Sequence, residues 1–172
     1  MIQFMCRKIE SFIGIIYVYS KLLYYKIKYG KKVKFGKKIR FRKGFRLYID
    51  KNGKVEIGNY VFFNKNCTVD SFYKITINDN NLFGENVKIY DHNHVFYDKN
   101  LRRGNHFFGQ PINIGKNNWF GTNSVILSGS TIGENNVIGA GIIINKNIEL
   151  KNDSIIKNKN NEYQIEKIKY KN

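Results

Sequence analysis

A chain of 172 residues is one domain's worth of protein and long enough for a substantial core. Its hydrophobic content of 42% and aromatic content of 15% exclude wholesale disorder. A formal charge of +17 points to anionic partners: phosphates, a membrane surface or nucleic acid. Lys, Asn, Ile and Tyr are all plentiful, the bias of an AT-rich genome, so part of the basicity is discounted.

Residues from about 3 to 28 are predicted to be helical. Ile9, Phe12, Ile13, Ile16, Tyr19, Leu22 and Leu23 fall largely on one side. The apolar run Phe12 to Tyr19 is far shorter than the ~20 residues that span a bilayer. The helix is expected to cap the first coil of the fold or to lie on an anionic membrane, roles that are compatible. No signal peptide is expected, because acidic Glu10 is present and a small-residue cleavage site is absent before the basic tract. Cys6 and Cys67 form no motif, which predicts no disulfide framework and a reducing, cytoplasmic setting; peripheral contact at the inner membrane face is an expectation from the helix and the basic tract after it.

Eleven Lys/Arg and no acidic residue follow between Lys26 and Arg46. A six-residue rhythm runs beneath the charge: Phe35, Phe41 and Leu47 are six apart, with Ile39 and Phe45 at fifth positions. The basic residues are therefore expected to project from coils with an apolar interior. No nucleic-acid-binding motif accompanies them, so no nucleic acid partner is expected. After the turn signal Asp50–Lys54 the rhythm resumes at Ile57, Phe63 and Val69, slips by two, and restarts at Ile77, Phe83 and Ile89. It then stops over 95–110, an excursion of the kind that carries function on a repeat scaffold.

From Ile114 to Ile144 the period is strict. Ile114, Phe120, Ile126, Ile132, Ile138 and Ile144 open successive hexads, and Gly115, Gly121, Gly133 and Gly139 follow four of them. Ser124 and Ser130 occupy fifth positions, where the chain turns inward. A period of six fits neither a helix nor a simple alternating strand; it fits a β-helix. The expected organisation is an N-terminal amphipathic helix (1–30), a β-helix (31–150) and a C-terminal capping helix or tail (151–172). In the tail, Tyr163, Ile165, Ile168 and Ile156 are expected to turn toward the last coil.

Three histidines, His92, His94 and His106, are available for chemistry, the first two at the mouth of the excursion. The stretches GENVKIYDHNH (84–94) and PINIGKNNWFGTNSVILSGSTIGENNVIGAGIIINKNI (111–148) resemble the hexapeptide-repeat acyltransferases, most closely the galactoside, maltose and capsular-sugar O-acetyltransferase branch. The resemblance implies a left-handed parallel β-helix and an acetyl-CoA-dependent O-acetyltransferase acting on a sugar hydroxyl of a cell-surface glycan or its precursor. In that register His94 is the general base and Asn64 binds the acceptor. His92 orients His94 or the acceptor, or lines the loop, with support the favoured role, and Asp91 is a further acceptor-site residue. His106 matches nothing in the family. The donor positions are Trp119, Gly121, Thr122 and Ala140, followed by Asn145 and Lys146 where the family carries Thr-Lys. Lys146 keeps a cation suited to a coenzyme A phosphate. The tail KNKNNEYQIEKI departs from the family pattern. The family also implies a homotrimer with active sites between subunits and no metal.

N-acetylation of an amino-sugar nucleotide is the nearest alternative, and the sequence does not separate it from O-acetylation. Serine acetylation is disfavoured because that branch carries a large helical N-terminal domain. Zinc-dependent hydration on the same fold needs a His-x4-His pair that is absent here. A non-enzymatic β-helix scaffold is the alternative of another class.

Overall fold

The structure, a computed structural model, describes residues 2–95, 107–159 and 162–167, with side chains from Ile13 onward except that of Lys159. His106 and most of the excursion lie outside the described residues.

The chain winds into a β-solenoid of five coils, with three parallel sheets as its walls. Sheet A contains Val33–Phe35, Lys54–Ile57, Lys74–Ile77, Ile112–Ile114 and Thr131–Ile132. Sheet B begins with Arg40–Phe41, Phe62–Phe63, Leu82–Phe83, Trp119–Phe120 and Val137–Ile138. Sheet C holds Arg46–Ile49, Thr68–Ser71, Lys88–Tyr90, Val125–Leu127 and Ile143–Ile144. Each hexad supplies one short strand and one corner. The opening residues of the hexads are all inside: Ile114, Phe120, Ile126 and Ile144 have no accessible surface, and Ile132 and Ile138 have 2% and 1%. Phe63, Phe83 and Phe120 stack with ring centroids 4.6 Å apart at each step. Ser124 and Ser130 are buried at the inward turns.

Asparagine has two structural uses at the corners. Asn66, Asn80, Asn86, Asn117, Asn123 and Asn135 all have φ near +60°, a left-handed conformation that asparagine tolerates. A second set, Asn81, Asn118 and Asn136, is buried and forms a ladder between coils. The Oδ1 of Asn81 accepts from the Asn118 N–H at 3.0 Å, and that of Asn118 accepts from the Asn136 N–H at 2.9 Å. Gly121 is needed for close approach, since a Cβ there would sit 2.5 Å from the backbone nitrogen of Ala140.

Helix α1 (Ile2–Tyr29) ends at Gly30, whose φ of +55° suits the residue after a helix. It covers the open edge of the first coil, but with a different face from the one the apolar pattern predicts. Val18, Tyr25 and Tyr29 are buried and, of the expected residues, Leu22 packs against the core, while Ile13, Ile16, Tyr19 and Leu23 point to solvent. The reason is chemical: an open coil edge presents unpaired backbone groups as well as apolar surface. Tyrosine serves both needs. The Tyr29 hydroxyl donates to the Leu47 carbonyl at 3.1 Å, and the Tyr25 oxygen accepts from the Leu47 N–H at 3.2 Å.

The other end corrects the predicted C-terminal helix. Ser154–Lys159 extends sheet B in parallel beyond Val137–Ile138, and Glu162–Lys167 folds back antiparallel onto it. A strand pairs the exposed ladder of the last coil directly, which a helix cannot do. Ile156 is buried and Ile165 is exposed, while Tyr163 is half-exposed yet reaches the last coil, its hydroxyl accepting from the Ile143 N–H at 3.3 Å.

Candidate functional site

The two-residue slip after Val69 has a structural role. It forms the corner Ser71–Tyr73, which holds the carboxylate of Asp91 from the next coil. Asp91 accepts from the Phe72 N–H at 2.7 Å, the Tyr73 N–H at 2.9 Å and the Ser71 hydroxyl at 2.8 Å. It has no accessible surface. Asp91 therefore offers no exposed oxygen to an acceptor, which corrects its assignment as an acceptor-site residue. Its remaining contact is with His92, whose Nδ1 lies 3.3 Å from Asp91 Oδ1. The His92 ring sits 3.9 Å from that of Phe72 and edge-on to Phe107 at 5.4 Å. Fixed on three sides, His92 has the surroundings of a positioning residue.

His94 is two residues on, in the strand His92–His94 that pairs antiparallel with Phe107–Gly109. Alternation puts it on the same side of this ribbon as His92. It is exposed, with its ring 4.6 Å from Phe107. The ribbon is tied to the solenoid where Gln110 donates from its N–H to the Ser128 hydroxyl at 2.7 Å. Beside it a cleft of about 820 Å³ is lined by Tyr48, Asp50, Lys54, Phe72, Lys74 and Phe107, among others. Phe72, Phe107 and Ser71 were missed by sequence reasoning. Their only sequence signals are the slip itself and the aromatic pair just before Pro111.

The other candidate residues divide between two corners. Asn64, Gly84, Gly121 and Gly139 stack at the corner between sheets B and C, joined by backbone hydrogen bonds of 2.7–2.9 Å running up that corner. Trp119, Thr122 and Ala140 line the same side and are exposed. Asn145 and Lys146 follow sheet C and therefore stand at its opposite corner, with His92 and His94. Lys146 is exposed, and the Asn145 side chain accepts from the Asn147 N–H at 2.9 Å. Asn64 has a similar local bond, accepting from the Lys65 N–H at 2.9 Å. Crossing sheet C takes about six residues of strand and corner, on the order of 20 Å. Within one chain, His94 is thus separated from Asn64 and Trp119.

Cys67 is buried, and burial pushes its thiol up to about 11, so it remains protonated and unreactive at neutral pH. Among the described residues, no three His, Cys, Asp or Glu side chains gather as a metal site would require.

Comparison with known proteins agrees with this architecture. A family profile described as bacterial transferase hexapeptide (six repeats) matches residues 111–145. The crystal structure of a maltose O-acetyltransferase from Clostridium difficile 630 superposes with a TM-score of 0.64 at 30% identity, over 81% of this chain and 72% of that one. The chain belongs to the hexapeptide-repeat acetyltransferases. A second family member, the hexapeptide-repeat acetyltransferase of Vibrio cholerae O1 biovar eltor complexed with acetyl coenzyme A, matches at a TM-score of 0.62 and 25% identity, over 79% and 71% of the two chains. Nodulation protein L of Rhizobium leguminosarum bv. viciae is 34% identical over 82 residues, 48% of this chain. The match spans 43% of that relative, and less than half of each of the other curated relatives considered.

Proposed function

We propose that this hexapeptide-repeat protein is an acetyl-CoA-dependent O-acetyltransferase whose acceptor is a sugar hydroxyl of a cell-surface glycan or its precursor. The observation that carries the reading is His94, an exposed imidazole on a braced ribbon at the point where the coils open. A hydroxyl becomes an effective nucleophile as its proton is drawn off. Imidazole, with an ordinary pKa of about 6.5, suits that task near neutral pH. In the proposed reaction the hydroxyl oxygen attacks the thioester carbonyl while His94 takes the proton. The tetrahedral intermediate then collapses, and the coenzyme A thiolate leaves with a proton from the imidazolium. His92, held against Asp91, acts as a positioning residue, and the neighbouring cleft offers aromatic and polar surface for a sugar.

The coenzyme A arm is assigned to Trp119, Gly121, Thr122 and Ala140, with Asn145 and Lys146 toward its phosphates. The separation of these residues across sheet C supports a homotrimer in which the His94 corner of one subunit meets the Asn64 and Trp119 corner of its neighbour. The test is thiol release from acetyl-CoA over a panel of sugar acceptors. His94→Ala is expected to lower kcat by roughly 10²–10⁴, the usual contribution of a general base, with unchanged thermal unfolding. Near-normal turnover in that variant overturns the assignment.

A further inference from the structure

The side of α1 turned away from the solenoid has no partner among the described residues, and the surface around it is unusual. Ile16, Tyr19, Leu23 and Ile27 follow one another at three- and four-residue spacing and form a continuous stripe. They are between 53% and 76% exposed, and Ile13 at 59% extends the stripe toward the N-terminus. Stacked coils and the two tyrosines occupy the opposite side, so the helix is clamped in place with this stripe outward. Lysines border it. Lys26 lies at one margin; at the other, Lys21 and Lys28 lie with their ammonium groups 5.0–5.8 Å from the rings of Tyr24, Tyr25 and Tyr29.

Charge is strongly polarised toward the same end. The first 49 residues contain fourteen Lys/Arg and a single acidic residue, Glu10, whereas the rest of the chain has sixteen and twelve. Lys31, Lys37, Lys38, Arg40, Arg42 and Lys43 are all exposed around the helix-capped first coil. An apolar stripe with tyrosine in it, edged by lysines and set in a cationic rim, matches the layers of an anionic bilayer surface. A second copy of this chain would instead bring the same cationic rim against itself.

We infer that α1 and the first coil form a docking face for an anionic lipid bilayer, with the stripe seated at the boundary between headgroups and acyl chains. No helix of the described residues is long and apolar enough to cross the membrane, so contact is at the surface. The docked solenoid stands on the bilayer. Sheet C places Lys88–Tyr90, which leads into the histidine ribbon, two strands above the first coil. Two strand spacings plus the thickness of a helix hold that ribbon on the order of 20 Å from the surface. On the acyl-transfer reading, this is within reach of an acceptor carried on a lipid.

The full-length protein is to be floated with vesicles of phosphatidylglycerol and phosphatidylcholine, and with vesicles of phosphatidylcholine alone, at low and high salt. Partitioning onto the anionic vesicles is expected to be at least ten-fold greater and to fall with salt. The triple variant Ile16→Glu, Leu23→Glu, Ile27→Glu is expected to lose it by ten-fold or more, with unchanged thermal unfolding and particle size. An environment-sensitive dye on Leu23→Cys, in a Cys6→Ser background, is expected to shift to the blue with anionic vesicles only, which checks insertion without adding charge. The inference fails if the wild-type protein stays with the vesicle-free fraction at low salt. It also fails if the triple variant partitions normally, or if that variant alters particle size and the dye shifts without lipid, as an interface between copies would require. Retention by a soluble polyanion together with no dye shift on vesicles likewise overturns it. None of these readouts depends on acetyl transfer.

Discussion

Two aspartates on neighbouring coils show how one residue type takes opposite roles. Asp91 is buried with three strong donors and a histidine, so its charge is compensated. Asp70, on the outer face of sheet C, has a buried Oδ1 with no hydrogen-bond partner among the described residues. Desolvation pushes its carboxyl above the ordinary range, with Asp91 and Asp50 adding to the rise and His92 opposing it. A carboxyl raised in the folded state binds its proton more tightly there than in the unfolded chain. Its ionisation therefore costs stability as pH rises from about 4 through the folded value, and the cost is complete above it. Asp70→Asn is expected to raise the thermal midpoint at pH 7 and to leave it unchanged near pH 3, where both side chains are neutral. A lower midpoint at pH 7 would mean that a neighbouring subunit supplies the missing donor. His94, by contrast, owes its assigned role to exposure and bracing.

Among the elements, the corners depart furthest from the expectation. The hexad pattern shows which residues point inward, because strand alternation and coil stacking repeat every six residues. It is silent on how buried corners satisfy their backbone groups. The structure assigns that task to asparagine. Asn118 donates to the Gly115 and Gly133 carbonyls at 3.1 and 3.0 Å while its own oxygen accepts from Asn136. Asn118→Leu fills the space but strands these groups without water. It is expected to cost roughly 2–4 kcal/mol, measured by urea unfolding. Both terminal elements are governed by the same need. Tyrosine hydroxyls close the first edge and a strand pair closes the last, where apolar spacing alone pointed to another face of α1 and to a helix.

For the whole molecule, the separation of His94 from Asn64 and Trp119 decides what a subunit can do alone. If each site is shared by neighbours, two inactive variants should repair one another. Co-expressed His94→Ala and Asn64→Ala subunits are expected to recover up to about a quarter of wild-type thiol release over the whole trimer population, the random-assembly value for one intact site of three in six of eight arrangements. Each variant alone is expected to remain inactive. The absence of recovery in verified mixed trimers would place both residues in the same subunit's site.

By itself the sequence determined the coil architecture, the inward column from Ile114 to Ile144 and, through a long ungapped resemblance, the family. Each rests on a local period or motif that needs no knowledge of distant contacts. Only the tertiary structure decided that Asp91 is an internal brace, that α1 turns Tyr25 and Tyr29 inward and Ile13, Ile16 and Ile27 outward, and that the tail becomes strands. Those outcomes depend on which backbone groups lie unpaired at a given corner or edge, and they exist only once the coils are stacked. The division of the candidate site between two corners of sheet C has the same origin, since residues thirty apart in sequence reach opposite corners through the winding of the coils.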